Sequence, residues 1–392
     1  MQIHSARRAL PFAFVLLAAA CGDDTPTTAP PVGAPNAPAP GAVLTVPPKG
    51  PAQVVRFYDE ARTQKFEAGM MVDGLKQGPW MEWDREGNVQ AKGSYKDDLR
   101  TGEWLMLWPD GSTKGTLNFV AGKREGPSVM NHRSGARFTE GAYLDDREHG
   151  PWITYYPEGG KLDEGSYERG KRHGLWIDYY PSGAKKKEGE YVDGLEQGGF
   201  QTWHENGQLS AAGEYKDGKM NGMWRGWHPD GKPAEEALWA AGALEGEAKS
   251  WHPGGQLRTS GFFSEGKRSG RWTTYYASGA RQSEGDFVEN LQSGEWLAFH
   301  ENGKVFNQGS FVSGKQHGVW KAFYDDGTLQ SEGPFVGGLK SGPWKTYHRD
   351  GTLQSEGTLL DDKPEGEWRY FLEDGSPDTA RSGVYKAGVL TR

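Results

Sequence analysis

One spacing constrains this chain more than any other feature. The glycine of a Gly-x-Trp triplet recurs every 24 residues, from Gly78 and Gly102 through Gly342 and Gly366, thirteen times without an insertion. Two residues after this anchor stands Trp in ten repeats, as in Trp80, Trp152, Trp272 and Trp368, with Ser128, Phe200 and Ala248 in the other three. Nine residues after it stands Gly in all thirteen. A module this short cannot bury a core alone and must stack on its neighbours, so a repeat array replaces the two or three ordinary domains that 392 residues could hold.

The columns predict a hairpin. Before the second glycine stand Asp, Asn, Ser, Glu or Gly, as in Pro229-Asp230-Gly231, the chemistry of a tight turn with positive φ. Upstream lies a short aromatic strand such as Trp152-Ile153-Thr154-Tyr155-Tyr156, and downstream a second such as Glu188-Gly189-Glu190-Tyr191. Three residues after that closing ring only Gly, Asn or Asp occurs (Asp98, Gly122, Asn290, Asp362), which marks a second turn linking one hairpin to the next. Alternation puts Leu209, Ala211, Gly213 and Tyr215 on one face and Gln208, Ser210, Ala212 and Glu214 on the other. Apart from the first few residues, Ile153 and Ile177 are the only isoleucines, so an aliphatic core is not expected. The glycine column Gly93, Gly141, Gly165, Gly189, Gly213, Gly261, Gly285 instead leaves room for a tryptophan ring to lie flat.

The stretch Gly213-Glu214-Tyr215-Lys216-Asp217-Gly218-Lys219-Met220-Asn221-Gly222-Met223-Trp224 resembles the MORN repeat, in the variant form common in bacteria and in YwqK-type antitoxins. The resemblance covers residues 54–392. It implies an all-β fold: an elongated, solenoid-like, single twisted antiparallel meander of about 13 stacked 24-residue hairpins. At ~4.8 Å per strand such a stack measures on the order of 125 Å.

Ahead of the array, Arg7 and Arg8 precede the apolar run Ala9 to Ala20, too short to span a bilayer and suited to a signal peptide. The run ends Leu17-Ala18-Ala19-Ala20-Cys21, which resembles a lipobox, with Cys21, the only cysteine, as the lipid attachment site. The expected organisation is a lipoprotein signal peptide over 1–21 and a Pro/Ala/Thr-rich tether over 22–50. A degenerate capping repeat over 51–77 follows, then the array and its C-terminal cap over 78–392. That places the chain in a bacterial cell envelope, inner or outer membrane unresolved, held to the membrane through its acyl anchor alone.

Candidate chemistry is sparse. A formal charge of −8 without a basic cluster disfavours nucleic acid. His132, His204, His228, His252, His300 and His348 share one repeat position, which places neighbours ~9–10 Å apart, too far for a shared zinc. The recurring Glu140, Glu164, Glu188, Glu284, Glu332 and Glu356 form a column opposite the aromatic face and read as a solvated ladder. Asp145-Asp146 and Asp361-Asp362 sit in link turns and lack a calcium-loop pattern. No catalytic, metal or cofactor residues are expected, and the chain reads as a binder, not an enzyme. The irregular stretch Pro233 to Ala248 is a bend, a drifted repeat or a recognition site. The candidate binding surface is Tyr156, Tyr180, His204, His228, Trp239, His252 and Tyr276. The expected partner is an envelope or extracellular protein, with antitoxin-like or immunity-like neutralisation as one form. The alternative is a cell-wall glycan stacked on the Tyr, Trp and His rings, which requires those rings to be bare.

Overall fold

The computed structural model describes residues 49–391. The proposed signal peptide, Cys21 and nearly all of the tether lie outside them. Among the described residues there are thirty strands in an open antiparallel sheet and no helix. The described residues divide into two compact units, the first ending at Ala211 and the second beginning at Ala212. Each is a meander of stacked hairpins, as the repeat implied.

One repeat shows the construction. The strands Lys171–Tyr179 and Lys185–Val192 form a hairpin whose turn is closed by Tyr180 N–H to Ala184 O and Gly183 N–H to Tyr180 O, both 2.8 Å, with Gly183 at φ +84°. The link to the next strand is a two-residue turn, Asp193 at φ 53° and Gly194 at φ 83°. Two successive left-handed residues match the twist of antiparallel strands. Sequence reasoning found the second of these positions. The first is left-handed even where Ala121, Arg169 or Glu265 occupies it.

The anchor glycine has a role the spacing did not reveal. Gly69 pairs with Trp80 and Met70 with Gln77, so Gly78 and Pro79 bulge out on that side, and Gly78 takes φ +63°. The Trp80 indole N–H donates to the Met70 carbonyl at 3.1 Å. Trp104 to Ser94 O at 3.1 Å, Trp176 to Ser166 O at 2.9 Å and Trp320 to Ser310 O at 3.0 Å repeat it. At the equivalent place Pro334 O accepts both the Ser341 backbone N–H at 3.1 Å and the Trp344 indole N–H at 3.0 Å, so the ring uses the carbonyl's second lone pair and a buried indole N–H is not left unpaired.

The predicted ring-over-glycine packing is present. A Cβ added at Gly165 would stand 2.3 Å from Cδ2 of Trp176, and one at Gly93 2.2 Å from Cδ2 of Trp104. Where no ring stands at the Trp position the glycine is missing too: Ser128 pairs with Leu117, and Ala248 with Ala237, all four buried, whereas Phe200 keeps Gly189 beneath it. Bulk moves from one strand to the other and the layer stays filled. The stretch Pro233 to Ala248 is therefore no break, since Pro233–Ala240 pairs with Lys219–Trp227 on one side and Ala243–Trp251 on the other.

The degenerate N-terminal repeat still supplies a first strand, Ala52–Phe57, with Val54 opposite Gly69. At the other end Trp368 pairs with Gly383 and Gly366 with Tyr385, so two extra residues are absorbed before the closing strands.

Candidate binding face

The tryptophan face is closed from both sides. Beneath each ring lies a glycine backbone, all ten rings are buried, and above Trp80, Trp104, Trp176, Trp272 and Trp344 lies a cation from the residue four places earlier. Arg172 stands 4.1 Å from the Trp176 centroid, Arg100 4.2 Å from Trp104, and Lys340 4.3 Å from Trp344. The second-strand rings meet the indoles edge-on, with Tyr143–Trp152 at 5.4 Å, Tyr167–Trp176 at 4.9 Å and Phe263–Trp272 at 5.1 Å. A sugar finds no bare indole face in this column.

The Tyr/His column is committed to structure as well. Tyr156 donates its phenol proton to Tyr179 O and Tyr180 donates to Trp203 O, both at 2.7 Å, and Tyr276 donates to Phe299 O at 2.8 Å. His228 and His252 reach Trp251 O at 3.4 Å and Tyr275 O at 3.0 Å through Nε2, which must carry the proton because a carbonyl only accepts. Each ring thus ties one hairpin end to the next. His204 holds the same repeat position and is half-buried. Trp239 is half-buried between Gly222 and Leu244 and lies on the indole face, apart from the others.

The opposite face differs between the two units. In the N-terminal unit the residues directly after the Trp position are Met81, Leu105, Val129, Ile153 and Ile177, all half-buried, before the row ends at the exposed Gln201. The glutamates between them are neutralised in place. Glu164 takes Lys161 at 2.6 Å and the Tyr179 hydroxyl at 2.5 Å, which hold its carboxyl below the ordinary range. Glu140 accepts from Arg137 and from the Tyr155 hydroxyl. Burial and then that glutamate push the Tyr179 phenol up to about 12. Along the link-turn border of this face run Leu99, Val120, Leu144, Val192 and Leu195, between 42% and 59% exposed. In the C-terminal unit the same central row reads Arg225, Lys249, Thr273, Leu297, Lys321, Lys345 and Arg369. Its cations pair with Glu236, Glu332 and Glu356 across neighbouring strands. One unit therefore offers a mostly apolar strip and the other a mostly zwitterionic ladder interrupted by Thr273 and Leu297. The strip was missed because alternation was applied to the Trp column and not carried one residue further, although Ile153 and Ile177 were conspicuous.

Two buried charge clusters were also missed. Glu82 accepts from Arg100 at 2.7 Å and from the Tyr95 hydroxyl at 2.8 Å. Asp163 is 2% exposed, lies directly across from Asp178, and takes Arg172 on Oδ2 at 3.2 Å while Oδ1 has no partner. Burial, reinforced by Asp178, raises its carboxyl above the ordinary range. The expected carboxylate ladder faces away from both. Among the described residues no three His, Cys, Asp or Glu side chains gather as metal ligands.

With the hairpins in view, the comparisons with known proteins can be placed. The model of the MORN repeat variant matches seven segments: residues 76–97, 172–193, 197–217, 244–265, 292–313, 316–336 and 340–361. No curated protein matches the chain. Among solved structures it is similar to TcdB2-TccC3 without its hypervariable C-terminal region, at 10% identity and a TM-score of 0.15, covering 86% of this chain and 21% of that one. The Tc holotoxin pore of Photorhabdus luminescens matches with the same identity, coverage and TM-score, 10%, 86%, 21% and 0.15. The chain thus spans about a fifth of the length of those chains. Seven segments of this array thus match the MORN repeat variant.

Proposed function

We propose that the chain is a protein-binding scaffold of the bacterial envelope, anchored through Cys21, whose contact surface is the apolar face of the N-terminal unit. The observation that carries this reading is the contrast between faces: the indoles are buried against glycine backbone, whereas Met81, Leu105, Val129, Ile153 and Ile177 line the other side beside an exposed Val/Leu border. Exposed apolar strips on repeat proteins mark interaction surfaces. Neutralisation of a toxin outside the cytoplasm is one role such a surface serves.

The test uses the whole chain carrying Cys21→Ser, immobilised and exposed to envelope extract with and without protease treatment, beside the Ile153→Glu/Ile177→Glu variant. A defined protein retained by the parent, lost after protease and lost on the variant supports the proposal. Retention of protease-resistant polysaccharide by both refutes it in favour of glycan binding. Loss of palmitate labelling in Cys21→Ser cells tests the anchor.

A further inference from the structure

Tyr95 occupies a site unlike that of the other ladder tyrosines. Its ring stands between two indoles, 5.7 Å from Trp80 and 5.2 Å from Trp104, both in edge contact. Its hydroxyl donates at 2.8 Å to Oε1 of Glu82, whose other oxygen is held by Arg100 at 2.7 Å. Tyr95 and Glu82 are each 8% exposed, so the phenol proton has a carboxylate acceptor within a dry pocket. Tyr143, at the equivalent position two repeats on, instead lies beneath the Arg124 guanidinium at 4.1 Å, a cation that accepts no proton.

From this geometry we propose that Tyr95 is a site of proton-coupled one-electron oxidation, fed through Trp80 and Trp104 by radical oxidants. The balance closes without a cofactor. A one-electron oxidant takes an electron from Trp104 or Trp80 and becomes its reduced anion. The indole radical cation takes an electron from Tyr95, and the phenol proton passes along the existing hydrogen bond to Glu82. The products are a neutral tyrosyl radical, a protonated Glu82 and a restored indole. The direction follows from the proton acceptors. The indole N–H groups of Trp80 and Trp104 face only backbone carbonyls, Met70 O and Ser94 O at 3.1 Å, so an indole radical cation keeps its charge, whereas the Tyr95 hydroxyl faces a carboxylate that takes its proton as the electron leaves, at the cost of the Glu82 ion pair with Arg100. Burial, with Glu82 second, holds the phenol pKa well above its ordinary value, so the proton leaves only with the electron.

Pulse radiolysis of the whole chain with azide radicals tests this. The expected result is conversion of indolyl to tyrosyl absorbance that is first order, independent of protein concentration, and several-fold slower in D2O. Tyr95→Phe removes the isotope-sensitive component, and the fold tolerates it because Phe119, Phe263 and Phe287 hold the same column. Glu82→Gln slows that component roughly tenfold or more, the effect of losing a charge-assisted acceptor. Tyr143→Phe leaves it unchanged. The proposal is overturned by an absent isotope effect in the unmodified protein, by a tyrosyl component indifferent to Tyr95→Phe or Glu82→Gln, or by one that Tyr143→Phe abolishes.

Discussion

Placing a methyl group at Gly165 tests the packing principle of the whole array. The added Cβ would lie 2.3, 2.4 and 2.6 Å from three atoms of the Trp176 ring, against ordinary carbon contacts of about 3.5–4.0 Å, so the ring must lift by more than ~1 Å. It has nowhere to go. Its N–H is bonded to Ser166 O at 2.9 Å, Arg172 caps it at 4.1 Å, and Tyr167 abuts its edge at 4.9 Å. Overpacking of ~1–3 kcal/mol together with about 1 kcal/mol for the strained hydrogen bond gives ~2–4 kcal/mol for Gly165→Ala. Trp176→Ser alone should cost ~3–5 kcal/mol through the cavity it leaves. The double change Gly165→Leu/Trp176→Ser recreates the natural Leu117/Ser128 pair, and its cost should fall short of the sum by at least ~2 kcal/mol. Repeat arrays need not unfold as one, so the assay is hydrogen exchange of the strands Lys161–Glu168 and Lys171–Tyr179, which reads local opening. A Gly165→Ala change within ~0.5 kcal/mol of the parent, or strict additivity in the double variant, would falsify the argument.

Three further outcomes are expected. Tyr180→Phe removes the 2.7 Å bond to Trp203 O and should lower local protection there by about 1 kcal/mol without altering the sheet, as exchange at that hairpin end will show. Glu82→Ala strands the buried Arg100 and should cost ~3–5 kcal/mol. Glu356→Ala, which frees the more exposed Lys345 and Arg369, should stay within ~1 kcal/mol in the same urea titration, and equal effects would contradict the burial argument. Asp163 has a folded pKa above the ordinary 3.8, so its contribution to stability is complete below the unfolded value and is lost as pH rises through the raised folded value. Asp163→Asn should flatten that decline in unfolding measured against pH, and parallel profiles for parent and variant would count against it.

Much of this protein is local chemistry repeated, and local chemistry is legible. The turn at Gly183, the left-handed link at Gly194 and the pairing of a flat Trp176 with Gly165 each follow from residue types at fixed offsets, since strand alternation alone decides which side chains meet. Structure added what depends on register. Gly78 and Pro79 drop out of pairing on one side only, the Trp80 N–H donates to Met70 O, and no column reading reveals a bulge of that kind. Arg172 reaches over Trp176 to Asp163, and Asp163 meets Asp178 fifteen residues later, through cross-strand neighbours that the sequence separates. The binding candidates moved for the same reason. The sequence by itself determined that aromatic rings recur on one face. Only the tertiary structure decided that those rings are spent on carbonyls, glycines and, in part, cations, and that the row through Ile153 and Ile177, the surface our proposal assigns to a partner, lies on the other face.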